Sequence, residues 1–148
     1  MPAMEVIAID PSINNLGWSR WTINNGKVSL VASGCYVTKS RSDAGRLFEI
    51  AQEVRKRGAG CNVVVVENVF LKRGKSNPHS IMKLALAAGV CLGALPADKV
   101  HLVTGHPTKH AANPIARRFG VDPKAKNAEH RVDAVSIGYT FIRKHMKK

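Results

Sequence analysis

Acidic residues are scarce in this chain. Ten Asp and Glu stand against 23 Lys and Arg, which leaves a formal net charge of +13 over 148 residues and a pI near 10.2. That imbalance points to a polyanionic partner, and by charge alone a ribosome or an anionic membrane surface fits equally well. Disulfide pairing is equally short of material. Cys35, Cys61 and Cys91 are odd in number, far apart and free of any Cys-x-x-Cys spacing, so neither a disulfide framework nor a zinc cluster is expected. Reduced, buried thiols of a cytoplasmic protein are the reading that remains. A membrane-length apolar run is also missing, and Met1 to Glu5 does not open a basic stretch followed by a long apolar one. The expectation is therefore a soluble intracellular protein forming one domain over residues 1–148, large enough to bury a core without staples.

What is present is a set of sharply bounded apolar runs. Val6-Ile7-Ala8-Ile9 is bounded by Asp10-Pro11-Ser12 and reads as a strand buried on both faces, with Asp10 at its exit. Asp10 is either an Asx-turn residue made with Pro11 and Ser12 or a carboxylate that needs a positive partner. Leu16 to Ile23 and Lys27 to Val37 flank Asn24-Asn25-Gly26, a hairpin signal, so three antiparallel strands come first. Ser42 or Asp43 can cap a helix carrying Leu47, Ile50, Ala51 and Val54, which Gly58 and Gly60 stop. Cys61 to Glu67 is a second buried strand, and it too ends in an acid. A strand, a crossover helix and another central strand lie parallel, so Asp10 and Glu67 are expected side by side. Asn77-Pro78 starts a helix running to about Leu95, and residues 100–103 form a short strand. Asn113-Pro114 is expected to cap a short helix that ends near Gly120.

The last helix is expected from Asn127. It places His130 and Asp133 on one stripe with Ala134, Ile137 and Phe141, facing the sheet. Glu129 is turned roughly 100° off that stripe and suits the helix dipole instead. Three carboxylates among β-branched neighbours, in a chain this basic, suggest a divalent-metal site built by Asp10, Glu67 and Asp133.

Taken in order, Ile9-Asp10-Pro11-Ser12 to Gly17, Val66-Glu67-Asn68-Val69-Phe70 and His130-Arg131-Val132-Asp133-Ala134 resemble the motifs of the RuvC family of Holliday-junction resolvases, in the RNase H-like nuclease superfamily. One such motif is weak; three in order on the expected elements are specific. The resemblance implies an α/β fold with a mixed five-stranded sheet, a three-strand antiparallel meander plus parallel strands, flanked by helices. It also implies a homodimer that nicks two strands of a four-way DNA junction by metal-dependent phosphodiester hydrolysis, in the cytoplasm of a bacterial or phage-infected cell. Carried over, Asp10, Glu67, His130 and Asp133 would hold two Mg2+ ions, with Mn2+ as a substitute, and His130 could instead carry a proton. Phe70 would stack at the opened crossover, and Lys72, Arg73 and Lys75 would contact DNA. The chain is shorter than typical members between its fifth strand and last helix, and Lys109 is the candidate there for the family's lysines.

A non-cleaving junction-binding protein and a nuclease acting on RNA–DNA hybrids are the competing readings; an actin-like ATPase would need a second domain. Helix 78–95, with Ala85, Ala88, Gly89 and Gly93, is the expected dimer contact. The cysteines and the remaining histidines are assigned structural or surface roles.

Overall fold

The first apolar run becomes the middle of a sheet. In the computed structural model, which describes residues 3–67, 78–103 and 109–146, β1 (Met4–Pro11) pairs on one side with β2 (Asn15–Asn24) and on the other with β4 (Val63–Glu67). Beyond β2 lies β3 (Lys27–Val37), and beyond β4 lies β5 (Lys99–Val103), so the order is β3-β2-β1-β4-β5. The β1–β2 and β2–β3 ladders are antiparallel, while β1–β4 and β4–β5 are parallel, the mixed arrangement expected. Asn25 and Gly26, with φ of 52° and 78°, make the two-residue turn in which both positions are left-handed.

Among the described residues four helices cover the two faces: α1 (Asp43–Arg57) and α2 (Pro78–Gly93) on one, α3 (Lys109–Arg118) and α4 (Glu129–His145) on the other. Side chains alternate accordingly. Val6, Ala8, Val63 and Val65 pack with Ala112, Ala116, Val132 and Val135 beneath α3 and α4. Ile7, Ile9, Val64 and Val66 pack with Ile50, Val54, Ala87 and Cys91 beneath α1 and α2. Burial on both faces is why these strands read as unbroken apolar runs. No helix among the described residues is long and apolar enough to cross a membrane.

Ser42 caps α1, its hydroxyl accepting from the Gly45 N–H at 3.0 Å. Other ends differ from expectation. Pro114 does not open α3 but lies inside it, because Ala112, Ile115, Ala116 and, just beyond the helix, Phe119 recur at helical spacing and pack on the core. That packing outweighs one missing backbone bond, and the Pro114 ring faces solvent. The last helix starts at Glu129 rather than Asn127, because Asn127 adopts φ 58°, a left-handed conformation that a helix cannot continue. In α2 the last residue is Gly93, two short of Leu95, and the expected Asn77 cap lies outside the described residues.

Candidate active site

Strand parity brings the acids together. Ile9 stands opposite Val66 in the parallel β1–β4 ladder, so Asp10 and Glu67 occupy the next rung outward on adjacent strands. Both continue the series that faces α4, Val6-Ala8-Asp10 and Val63-Val65-Glu67. They are only 5% and 3% exposed, on strands spaced about 4.8 Å apart. Two carboxylates so placed repel unless a proton or cation lies between them.

The first turn of α4 is held over this rung by close backbone approach. Gly17 stands opposite Asp10, and a Cβ there would strike the backbone carbonyl of His130. Gly138 similarly leaves room for the Trp21 indole, whose Nε1 donates to Ser19 Oγ at 2.8 Å. Ser19 Oγ in turn donates to the Ala134 carbonyl at 2.7 Å. So seated, His130 places Nδ1 2.9 Å from Asp10 Oδ2. That hydrogen bond raises the His130 pKa above its ordinary value; partial burial opposes the rise, and the charges of Asp10, Glu129 and Asp133 reinforce it.

Asp133, half-buried one turn further along, lines a shallow cavity with Asn113, Pro123, Glu129 and Val132. Glu129 was expected to turn away from the stripe. Residues four apart share a helix face, so it shares the cavity of Asp133 while also being the acid at the helix start.

Asp10, Glu67 and Asp133 offer hard oxygen donors and His130 an imidazole, a set suited to a divalent cation. Asp10 and Glu67 set buried oxygen donors side by side on adjacent strands with the His130 imidazole against Asp10, so the donors fit. Among the described residues no three His, Cys, Asp or Glu are already drawn into one metal-holding cluster. His130 Nδ1 is instead engaged with Asp10. Phe70, Lys72, Arg73 and Lys75 lie outside the described residues, and of Lys109 only the backbone, at the start of α3, is described.

Cys35, expected only in a structural or surface role, also lies near this site. Asp10 pairs with Gly17 and Gly17 with Cys35, so the three share one line across the sheet. Burial, and secondarily the Asp10 charge, push the Cys35 thiol up. Counting back from the Asn25-Gly26 turn would have put Gly34 opposite Gly17. A bulge leaves Val31 as an extra residue, since Trp21 opposes Leu30 but Arg20 opposes Ala32.

Three comparisons bear on this geometry. Residues 6–117 match the family model described as "Crossover junction endodeoxyribonuclease RuvC". A crossover junction endodeoxyribonuclease RuvC from Ehrlichia ruminantium is 30% identical over 132 residues, covering 85% of this chain and 78% of that one. Among solved structures, Thermus thermophilus RuvC in complex with a Holliday junction substrate superposes with a TM-score of 0.72 at 23% identity, over 98% of this chain and 99% of that one. The fowlpox virus Holliday junction resolvase gives 0.60 at 13% identity, over 95% and 99% of the two chains.

Proposed function

Because the chain belongs to the RuvC family of crossover junction endodeoxyribonucleases, we propose that it resolves four-way and related branched DNA junctions by paired, metal-dependent nicks. The observation that carries this reading is the Asp10–Glu67 rung with His130 held against Asp10 at 2.9 Å. Asp10, Glu67, His130 and Asp133 are the proposed ligands of two Mg2+ ions per site, with Mn2+ able to substitute. Bound there, the ions supply Lewis-acid activation of water and charge neutralisation at the scissile phosphate.

The chain's own residues supply orientation. Gly17 lets the start of α4 descend onto the sheet, and the Ser19–Ala134 bond fixes its height. Asp10 fixes the His130 ring through Nδ1, which leaves Nε2 to bind a cation or to take a proton from the attacking water. The net charge of +13 supports a polyphosphate substrate, and Lys72, Arg73, Lys75 and Lys109 are proposed phosphate contacts, with Phe70 stacking on a base at the opened branch point.

Two nicks related by symmetry call for two active sites, so the working unit is proposed to be a two-fold homodimer. Met82 and Leu86 on α2 and Val100 and Leu102 on β5 are exposed apolar side chains on one side of the sheet, and both Gly89 and Gly93 face open space. They support α2 as the dimer contact. Ala88 does not belong to it, being buried in the chain's own core with Ile7 and Ile9.

The test is a series of near-isosteric variants, Asp10→Asn, Glu67→Gln and Asp133→Asn, measured for junction cleavage and for junction binding. Each is expected to lose cleavage while binding survives, because affinity comes from Lys and Arg. Cleavage by Asp10→Asn at the wild-type rate would refute the site.

A further inference from the structure

Arg131 lies between two proposed metal ligands in sequence but turns to the opposite side, toward β3. Its Nε donates to Ser33 Oγ at 2.8 Å. Among the described residues that is its one hydrogen bond, and no carboxylate pairs with it. The position is an unusual one for an unpaired cation. Arg131 is the third residue of α4, where the helix dipole favours anions and disfavours a guanidinium. Glu129, two residues earlier in the same turn, and Asp133, two residues later, are the acids beside it in sequence, and neither replaces Ser33 as its hydrogen-bond partner.

Arg131 and Ser33 together present donors. With Ser33 Oγ accepting from Nε–H, the Ser33 hydroxyl proton is directed elsewhere, and both Nη groups of Arg131 keep their N–H bonds. Cys35, two residues along β3 on the same face, carries a thiol whose pKa is raised, so it brings no negative charge. Guanidinium fork plus hydroxyl is a donor set that matches phosphate oxygens. The place matches too. Ser33 pairs with Ser19 and Ser19 with Ala8, so Ser33 lies two strand spacings across the sheet and two residues along it from Asp10, about 12 Å in all. Along a nucleic-acid strand bearing one phosphate per roughly 3.4 Å of axis, that reach falls on a phosphate within about four nucleotides of the one at Asp10.

We propose that Arg131 and Ser33 form a phosphate-binding flank that holds the DNA strand on the β3 side of the active site. The proposal rests on the junction-nuclease reading and adds to it a contact outside the metal site, with Arg131 as a substrate-positioning residue.

Two measurements test it, both on the full chain with a four-way junction and chelator to prevent cleavage. In the first, binding is titrated across salt concentrations for wild type, Arg131→Gln, Arg131→Lys and Ser33→Ala. Arg131→Gln is expected to bind roughly 10-fold more weakly, the scale of one charge-assisted contact. Its log-affinity slope against log-salt should be shallower by about 0.9. Arg131→Lys keeps the slope, and Ser33→Ala loses less than Arg131→Gln. If the Arg131–Ser33 bond only braces α4 against β3, then Arg131→Gln and Ser33→Ala lower the melting temperature equally and leave the slope alone, which overturns the proposal. The second measurement needs no variant: maleimide labelling of Cys35 in the wild-type protein, followed by peptide mass. Junction DNA should slow labelling at Cys35, and an unchanged rate with saturating junction would overturn the proposal. A wild-type chain that neither binds nor cuts junctions would overturn the underlying reading as well. Normal wild-type activity with an unaffected Arg131→Gln overturns this proposal alone.

Discussion

Gly17→Ala should separate the seating of α4 from the chemistry of the site. The substitution adds one methyl on the rung that carries Asp10, at a strand position where alanine has no backbone difficulty. The new Cβ would meet the His130 carbonyl and would lie 2.9 Å from His130 Cβ, both on the first turn of α4. Carbon atoms pack at about 3.5–4.0 Å, so the turn must retreat by roughly 1 Å. Overpacking of this kind costs about 1–3 kcal/mol, and a chain this size loses about 2–4 °C of melting temperature per kcal/mol. The larger effect is on function, since a displacement near 1 Å of a catalytic group can cost about 100-fold in rate. His130 would be drawn off Asp10 while every proposed ligand remains in the chain. The assay is thermal melting beside single-turnover junction cleavage with Mg2+. Gly17→Ala that melts several degrees lower and cuts about 100-fold more slowly fits the geometry. A variant that melts and cuts like wild type would refute the close approach and the seating argument built on it.

Sedimentation at micromolar concentration should show a dimer, and Leu86→Glu on the exposed face of α2 should shift it to monomer without unfolding it; a wild-type monomer with and without junction DNA would contradict the assembly. Phe70→Ala is expected to leave melting nearly unchanged and to slow cleavage, with recovery on a junction already unpaired at its crossover; loss of stability with normal cutting would make Phe70 a core residue instead. Glu49 accepts from the Tyr36 hydroxyl at 2.7 Å and from the Lys39 and Ser40 N–H groups, and these bonds lower its pKa. Its contribution to stability is therefore present above the unfolded carboxyl pKa and is lost as pH falls through the lower folded one. Melting curves should show Glu49→Gln below wild type at pH 7 and the gap closing in acid; a gap that persists there would contradict the assignment. Burial pushes the Cys61 and Cys91 thiols to about 11 and about 12, so peptide mass mapping at pH 8 should find maleimide on Cys35 well before either.

The acids of the site were legible because each buried strand stops on one, and an apolar run makes a terminal carboxylate conspicuous. Parallel pairing of β1 and β4 then followed from the crossover helix, and Asp10 and Glu67 fall on one rung as that argument requires. Asn25-Gly26 was likewise legible as a turn from two residues that tolerate positive φ. Other features depend on interactions no local window contains. Pro114 reads as a helix start, yet packing of Ala112 and Ala116 against the core carries α3 through it. The bulge at Val31 has no turn residue to announce it, and it moves Cys35 onto the line of Asp10. Glu129 and Asp133 share a helix face by their spacing, but the cavity they line is completed by Asn113 and Pro123 from elsewhere in the chain. The downward seating of α4 is visible only when Gly17 and His130, over a hundred residues apart, are seen to touch.

Cutting of branched DNA by this chain should depend on a metal-holding acidic site. Strand-labelled four-way junction, linear duplex and RNA–DNA hybrid, each incubated with wild type and Asp10→Asn in Mg2+ or in chelator, test it most directly. Paired nicks are expected near the crossover of the four-way junction, only with wild type and only with Mg2+, and little cutting of duplex or hybrid. Preferential cutting of the hybrid, or junction nicking that survives both chelator and Asp10→Asn, would contradict it.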